Sequence, residues 1–154
     1  MRGRRVVIGS DHGGLQLKQE LCGAMTRWGV EIEDVGCSTP QSVDYPDFAF
    51  MVTRAVLRGA ASTVGVLVCG TGIGMSIAAN KVPGIRAALC HEGYSAWMAR
   101  AHNDANVLCL GGRTVGPELA REVLAAFLES SFEGGRHQQR LDKIAVVERG
   151  EATK

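Results

Sequence analysis

The sequence predicts an α/β fold: an open, mostly parallel five-stranded sheet covered by helices on both faces, with a C-terminal helical arm. Two observations lead there. Five short β-branched runs recur along the 154 residues, and the segments between them carry apolar residues at helical spacing. Strand alternating with helix favours parallel strands joined by right-handed crossovers. The length fits one domain spanning 1–154, at ~100–200 residues per domain.

Taken in order, Arg5–Gly9 reads as the first buried strand, and Leu17, Leu21, Met25 and Trp28 mark the inner face of the helix after it. Glu31–Val35 is the second strand. Pro40 and Pro46 bracket a loop containing Asp44 and Tyr45, and Phe48, Val52 and Val56 then mark a second helix. Val64–Cys69 is the third strand, followed by a glycine-rich turn that leads into a helix. Ile85–Cys90 and Asn106–Gly111 are the fourth and fifth strands, and His102 closes the helix between them. Leu119, Val123 and Phe127 define the next helix. The stretch from Gly134 to Glu151 is a final helix with Leu141, Ile144 and Val147 as its apolar positions. No strand follows it, so this arm is free to pack on a partner subunit.

Composition narrows the function classes. With 45% hydrophobic and 21% charged residues the chain can bury a real core, which excludes disorder as its main state. Seventeen Lys and Arg against 16 Asp and Glu leave a formal charge of +1, so no bulk field draws the protein to nucleic acid or to an anionic membrane. The five cysteines are odd in number, irregularly spaced and without a C-x-x-C pair, which argues against structural zinc and a disulfide framework. Val6–Ile8 is too short for the core of a secretory signal, and no run approaches the ~18 apolar residues of a membrane span. A reducing, cytoplasmic location is expected. Glycine is the outlier, with 20 residues, nearly twice the ~7% average usage.

In parallel sheets ligands bind beyond the carboxyl ends of the strands, which directs attention to the loops after strands one and three. The first is Gly9-Ser10-Asp11-His12-Gly13-Gly14. The second, Cys69-Gly70-Thr71-Gly72-Ile73-Gly74, contains G-x-G-x-G, whose backbone N–H groups can hold an anion or oxyanion at a helix start; a plain tight turn would carry the same pattern. It is neither the G-x-G-x-x-G dinucleotide fingerprint nor, lacking the lysine, a P-loop, so nicotinamide or ATP binding is not supported. Cys69 stands at the strand-to-loop junction, where the positive end of a helix favours a thiolate, so it is a candidate base or nucleophile; a small buried hydrophobe is the alternative, and it describes Cys22, Cys90 and Cys109. Arg136 and Arg140, four apart on a helix, can clamp a phosphate or form a solvated basic face. Arg113 after strand five would add a third cation.

Three of the four histidines lie in polar clusters: Asp11-His12, His102-Asn103-Asp104 and Arg136-His137-Gln138-Gln139-Arg140. His102 closes a helix that returns toward the amino ends of the strands, far from Cys69 of its own chain. If both serve one site, His102 reaches the site of a neighbouring subunit.

These residues bring in a resemblance. SDHGG at 10–14, DYPD at 44–47, CGTGIGMSIAANKVPGIRAALC at 69–90, HND at 102–104, GGR at 111–113 and EGGRHQQRL at 133–141 resemble the ribose-5-phosphate isomerase type B family, which includes the subunits of galactose-6-phosphate isomerase. The stretches lie in order over nearly the whole chain. The resemblance implies a Rossmann-like, three-layer fold, a homodimer with a shared active site that can pair into a homotetramer, and neither metal nor organic cofactor. By position, Cys69 matches the family's base and His102 its ring-opening acid/base, with Thr71 completing the catalytic set. Gly70, Thr71, Gly72, Ile73 and Gly74 match the oxyanion and sugar-binding segment. Asp11, His12, Tyr45, Asn103, Arg113, Arg136 and Arg140 match sugar or phosphate contacts. Some members place a Glu a few residues later in the loop in place of the cysteine; here those positions are Met75 and Ser76.

The implied reaction interconverts D-ribose 5-phosphate and D-ribulose 5-phosphate through an enediolate, in the non-oxidative branch of the pentose phosphate pathway. The glycines would bring backbone close to a small phosphorylated sugar. Alternatives are isomerisation of a six-carbon sugar phosphate such as allose or galactose 6-phosphate and, more distantly, a non-catalytic anion-binding module. A thiol-redox role lacks a second cysteine close in sequence.

Overall fold

The computed structural model describes residues 4–151. Five strands and six helices follow in the order β1 (Arg5–Ser10), α1 (Leu15–Arg27), β2 (Glu31–Asp34), α2 (Tyr45–Arg58), β3 (Thr63–Cys69), α3 (Ile73–Ala79), β4 (Ala87–Leu89), α4 (Gly93–Ala101), β5 (Val107–Gly111), α5 (Pro117–Glu129) and α6 (Arg136–Glu148). The sheet order is β2-β1-β3-β5-β4, and each of its four pairings is parallel.

The two faces of the sheet divide the core by side-chain alternation. Val6, Ile8, Val64, Val66, Val68, Leu108 and Leu110 join Leu17, Leu21 and Met25 of α1, Ala96 and Ala99 of α4, and Val123, Leu124 and Phe127 of α5. Val7, Leu67, Cys69, Val107 and Cys109 point the other way, onto Ala49, Val52 and Val56 of α2 and Met75, Ala78 and Ala79 of α3. Because both faces are covered, β3 and β5 are buried throughout. From β1 the chain crosses to β2 on one side and then to β3 on the other. This reversal opens a crevice at the carboxyl ends of β1 and β3.

Four local expectations change. The fourth strand is three residues, 87–89, instead of 85–90. It lies at the sheet edge, and its outer side is capped by Asn80, whose side-chain amide both accepts from the Ala87 N–H (2.9 Å) and donates to the Ala87 carbonyl (2.8 Å). A side chain thus takes the place of a further strand and blunts the edge. Tyr45 does not sit in the preceding loop; it opens α2, with Pro46 in the first turn, where a missing N–H costs nothing. The last helix runs from 136 to 148 instead of 134 to 151, because Gly134, Gly135 and Gly150 all take positive φ. Leu119 is exposed, since the stripe that α5 buries is Ala120, Val123, Leu124, Phe127 and Leu128.

In α6, Leu141 is buried while Ile144 and Val147 are half-exposed over an apolar groove of about 560 Å³ beside β4. The Glu148 carboxylate accepts from the Gly84 N–H (3.1 Å), so the arm touches its own chain. Of the charged C-terminal stretch Glu148–Lys154, residues 152–154 lie outside the described residues. Among the described residues no helix is long and apolar enough to cross a membrane.

Candidate active site

The carboxyl ends of β1, β3 and β5 are joined through their backbones. Asp11, just past β1, is buried; its N–H donates to the Val68 carbonyl (3.2 Å) and its carboxylate accepts from the Gly14 N–H (3.0 Å). A Cβ on Gly14 would lie 2.9 Å from the Cys69 nitrogen and closer still to the Val68 carbonyl, so only glycine lets α1 begin against β3 here. From the other side, the Gly112 N–H donates to the Cys69 carbonyl (2.7 Å) and the Arg113 N–H to the Gly70 carbonyl (3.0 Å). The glycine surplus therefore has a use the sequence did not reveal. Gly13, Gly14 and Gly112 bring backbone against backbone, locking three loops into one platform.

Cys69 ends β3 on that platform with 5% of its surface exposed. Its Sγ accepts a hydrogen bond from the Gly72 N–H at 3.1 Å, a role that a thiolate fills better than a thiol. Gly72 has φ +77°, the left-handed turn that aims this N–H back at the sulfur and starts α3. The Ile73 N–H lies 3.4 Å from the Thr71 hydroxyl oxygen. Among the other cysteines, burial pushes the thiols of Cys22, Cys90 and Cys109 up, which keeps them protonated and suits the packing role expected of them. Tyr45 closes one side, its ring lying where a Cβ on Gly74 would stand (2.8 Å). His12 accepts the Val43 N–H at Nδ1 (3.2 Å), which braces the loop before α2 and leaves Nε2 as its other polar atom. The exposed Arg113 side chain runs beside Gly70.

The second group gathers at the opposite end of the sheet. His102 caps α4, and the turn after it is held by two arginines. Arg86 Nε donates to the Asn103 and Asp104 carbonyls (both 3.0 Å), while Arg100 Nη1 donates to the Asp104 carboxylate (3.0 Å) and the Ala105 carbonyl (2.6 Å). This grip holds Asp104 at φ 43°, an uncommon conformation for a residue with a side chain. The Asn106 N–H then bonds to the Arg86 carbonyl at the entrance to β4 (3.0 Å), which places the turn at the amino ends of the strands. His102 and Asn103 line a hollow of about 430 Å³ with Arg136, His137 and Arg140. Arg136 and Arg140 do face one way, and the Arg140 guanidinium donates to the Arg136 carbonyl (2.9 Å).

Within one chain, therefore, Asp11, His12, Tyr45, Cys69, the Gly70–Gly74 loop and Arg113 form one cluster, and His102, Asn103, Arg136 and Arg140 form another. The expectation that Arg113 joins Arg136 and Arg140 as a third cation does not hold inside a single copy, because β5 delivers it to the carboxyl end.

Two residues of the second cluster were absent from the expected site. The His137 ring stacks on that of His102 with centroids 4.0 Å apart and planes within 10°. Glu133 Oε2 lies 3.7 Å from His102 Nε2 and 3.8 Å from His137 Nε2. Burial pushes His137 below the usual imidazole range, His102, Arg136 and Arg140 add to this, and Glu133 opposes it. A neutral His137 is also what the Arg136 Nε–H requires, since it points at His137 Nε2 (3.5 Å). His137 was visible as a polar histidine. Glu133 was not, because Gly134 and Gly135 separate it from the helix whose face it shares.

Comparison with known proteins gives a consistent result. The family model described as Ribose/Galactose Isomerase matches residues 6–144. The ribose-5-phosphate isomerase B of Escherichia coli is 47% identical over 145 residues, covering 94% of this chain and 97% of that protein. The D-erythrulose-4-phosphate isomerase of Pectobacterium atrosepticum is 42% identical over 147 residues, 95% and 96% of the two chains. Among solved structures, the ribose-5-phosphate isomerase B of Clostridium thermocellum superposes with a TM-score of 0.92 at 49% identity, covering 95% of this chain and 98% of the other. The type B enzyme of Trypanosoma brucei gives 0.89 at 52%, with coverage of 96% and 99%. With the all-parallel sheet, the Cys69 platform and these matches over nearly the full length, the chain belongs to the ribose/galactose isomerase family.

Proposed function

We propose that this protein is a ribose-5-phosphate isomerase of type B, interconverting D-ribose 5-phosphate and D-ribulose 5-phosphate. The observation that carries the reading is the setting of Cys69: a nearly buried sulfur at the strand-reversal crevice, taking the Gly72 N–H, with the Asp11 carboxylate locked beside the same strand. In the proposed cycle His102 opens the furanose by moving a proton from the C1 hydroxyl to the ring oxygen as the bond between C1 and that oxygen breaks. Cys69 takes the proton from C2 and returns it at C1, while the C1 oxygen gains a proton and the C2 hydroxyl loses one. N–H groups of the Gly70–Gly74 loop, with Thr71 among them, stabilise the oxyanion; removing one such donor typically costs about 10²–10³-fold in rate. Asp11, His12, Tyr45 and Asn103 contact the sugar. Arg113, Arg136 and Arg140 hold the phosphate, whose binding energy orients the reacting end.

The two clusters lie at opposite ends of one sheet, so this cycle requires a homodimer in which His102, Asn103, Arg136 and Arg140 of the partner subunit complete each Cys69 site. An apolar surface is on hand for such a contact. Ile73 and Ile77 of α3 and Met51 of the adjoining α2 are about half exposed. We place the protein in the cytoplasm, in keeping with five free thiols.

The test is turnover of ribose 5-phosphate against a tetrulose 4-phosphate and a panel of hexose 6-phosphates, without added metal. Ribose 5-phosphate should show the highest kcat/KM, and absence of turnover on every sugar would refute the isomerase reading. Cys69→Ala should bind substrate without converting it. Mixing Cys69→Ala with His102→Ala chains should restore about a quarter of wild-type activity, since half of randomly mixed dimers are heterodimers with one intact site each. No recovery would rule out the shared site.

A further inference from the structure

His102, Glu133 and His137 present ligand atoms within 4.8 Å of one another, a spacing that a divalent ion could bridge. The surroundings oppose a cation. Arg136 and Arg140 face the same hollow, and the Arg136 Nε–H is directed at His137 Nε2. The imidazoles also lie face to face, 4.0 Å apart and nearly parallel, so their in-plane lone pairs do not converge on one point.

The geometry points instead to Glu133 and His137 as positioning residues for His102, a reading that rests on the isomerase function above. Three observations carry it. The Glu133 N–H donates to the Ala101 carbonyl (3.0 Å), so the 130–135 segment is tied to the residue next to His102. That bond sets the Glu133 carboxylate 3.7 Å from His102 Nε2, where it favours one rotation of the ring about χ2 over the flipped one. His137, itself buried to 8% exposure and fixed by its own N–H to the Gly134 carbonyl (3.0 Å), supplies a flat wall that sets the plane of the His102 ring. His102 is about one-third exposed and stands at a helix end, where nothing else among its described contacts would hold the imidazole still. A proton shuttle must meet both the C1 hydroxyl and the ring oxygen, and misplacement by about 1 Å can cost 10²-fold.

Ring opening can be separated experimentally from enolisation. Ribulose 5-phosphate is acyclic, so its C1 hydrogen exchanges with solvent deuterium through enediolate formation alone, whereas furanose ribose 5-phosphate must first open. Glu133→Gln should lower kcat for ribose 5-phosphate by about 10- to 100-fold while leaving deuterium wash-in from ribulose 5-phosphate, followed by NMR, within about twofold of wild type. His137→Ala should show the same selective loss, and His137→Phe, which keeps a flat ring, should regain part of it. An equal loss in both assays would assign these residues a structural role and overturn the proposal, as would the absence of any loss in Glu133→Gln. A wild-type enzyme inert in both assays would overturn the isomerase reading itself, and this one with it.

Discussion

Replacing Gly72 by alanine probes the centre of the platform, and its effect can be worked from two features. Gly72 has φ +77°, a conformation that costs an L-residue about 1–2 kcal/mol. A Cβ there would also lie 2.5 Å from Leu89 Cδ1 and 2.9 Å from the Leu110 carbonyl carbon. Leu89 can rotate, but Leu110 belongs to the buried backbone of β5, so the loop itself must move. Overpacking of this kind costs about 1–3 kcal/mol more. The total, about 2–5 kcal/mol, corresponds to a fall in Tm of about 4–20 °C for a chain of this size. Because the displaced residue is the one whose N–H meets Cys69 Sγ, kcat should fall by about 10²-fold. Gly29→Ala is the control. Gly29 has φ +71° with nothing within 4 Å, so it carries the conformational cost alone, about 1–2 kcal/mol, and lies on the turn between α1 and β2, away from the platform. Thermal unfolding and steady-state kinetics on both variants decide the matter. A Gly72→Ala enzyme with wild-type kcat and a Tm no lower than that of Gly29→Ala would refute the collision and the role given to the Gly72 N–H.

Two further perturbations test the frame around the site. Burial holds the imidazole of His137 below its ordinary range, so the unfolded chain takes up a proton before the folded one does as pH falls. Stability should decline as the pH drops through about 6.5 toward 5, and His137→Phe should flatten that decline in denaturant titrations between pH 8 and 5; an unchanged slope would count against a buried neutral ring. Phe127 is fully buried, with the Arg100 guanidinium 5.6 Å from its ring centroid. Phe127→Ala should cost about 3–5 kcal/mol, read as a shift in the guanidinium midpoint, and a shift under about 1 kcal/mol would show that the face of the sheet bearing α1, α4 and α5 packs more loosely than described.

Much of this molecule can be read from its residues because the strong signals are local. The runs at 5–9, 64–69 and 106–111 are apolar on both sides, as strands covered on both faces must be, and they form β1, β3 and β5 within one residue of the expected bounds. The edge strand was overestimated because Ile85 and Cys90, both buried, read as strand while facing inward from the turns that flank β4. Leu119 was misread because a single leucine at helical spacing fits two neighbouring stripes, and the packing of α5 on α4 selects the one through Ala120. The Glu133 contact was not legible. It depends on two glycines with positive φ folding the chain back, and on a backbone bond to Ala101 that no side-chain pattern announces.

The place of His102 at the end of α4 decides how the site can be assembled. A parallel crossover returns α4 to the amino ends of the strands, so no adjustment of a single chain can carry the His102 imidazole over Cys69. The same corner also holds Asn103 through the grip of Arg86, and Arg136 and Arg140 through the bond from Glu133 to Ala101. These bonds tie the groups into one corner of the chain. In the proposed homodimer, whatever contact brings the partner subunit's His102 to Cys69 also delivers its Arg136 and Arg140 at a fixed distance from that sulfur. That distance, set by the 102–140 corner and not by the Cys69 loop, would then select the length of the sugar phosphate. Discrimination between four-, five- and six-carbon substrates should accordingly respond to changes in the turn of residues 131–135, which sets where α6 begins, more than to changes in the Gly70–Gly74 loop.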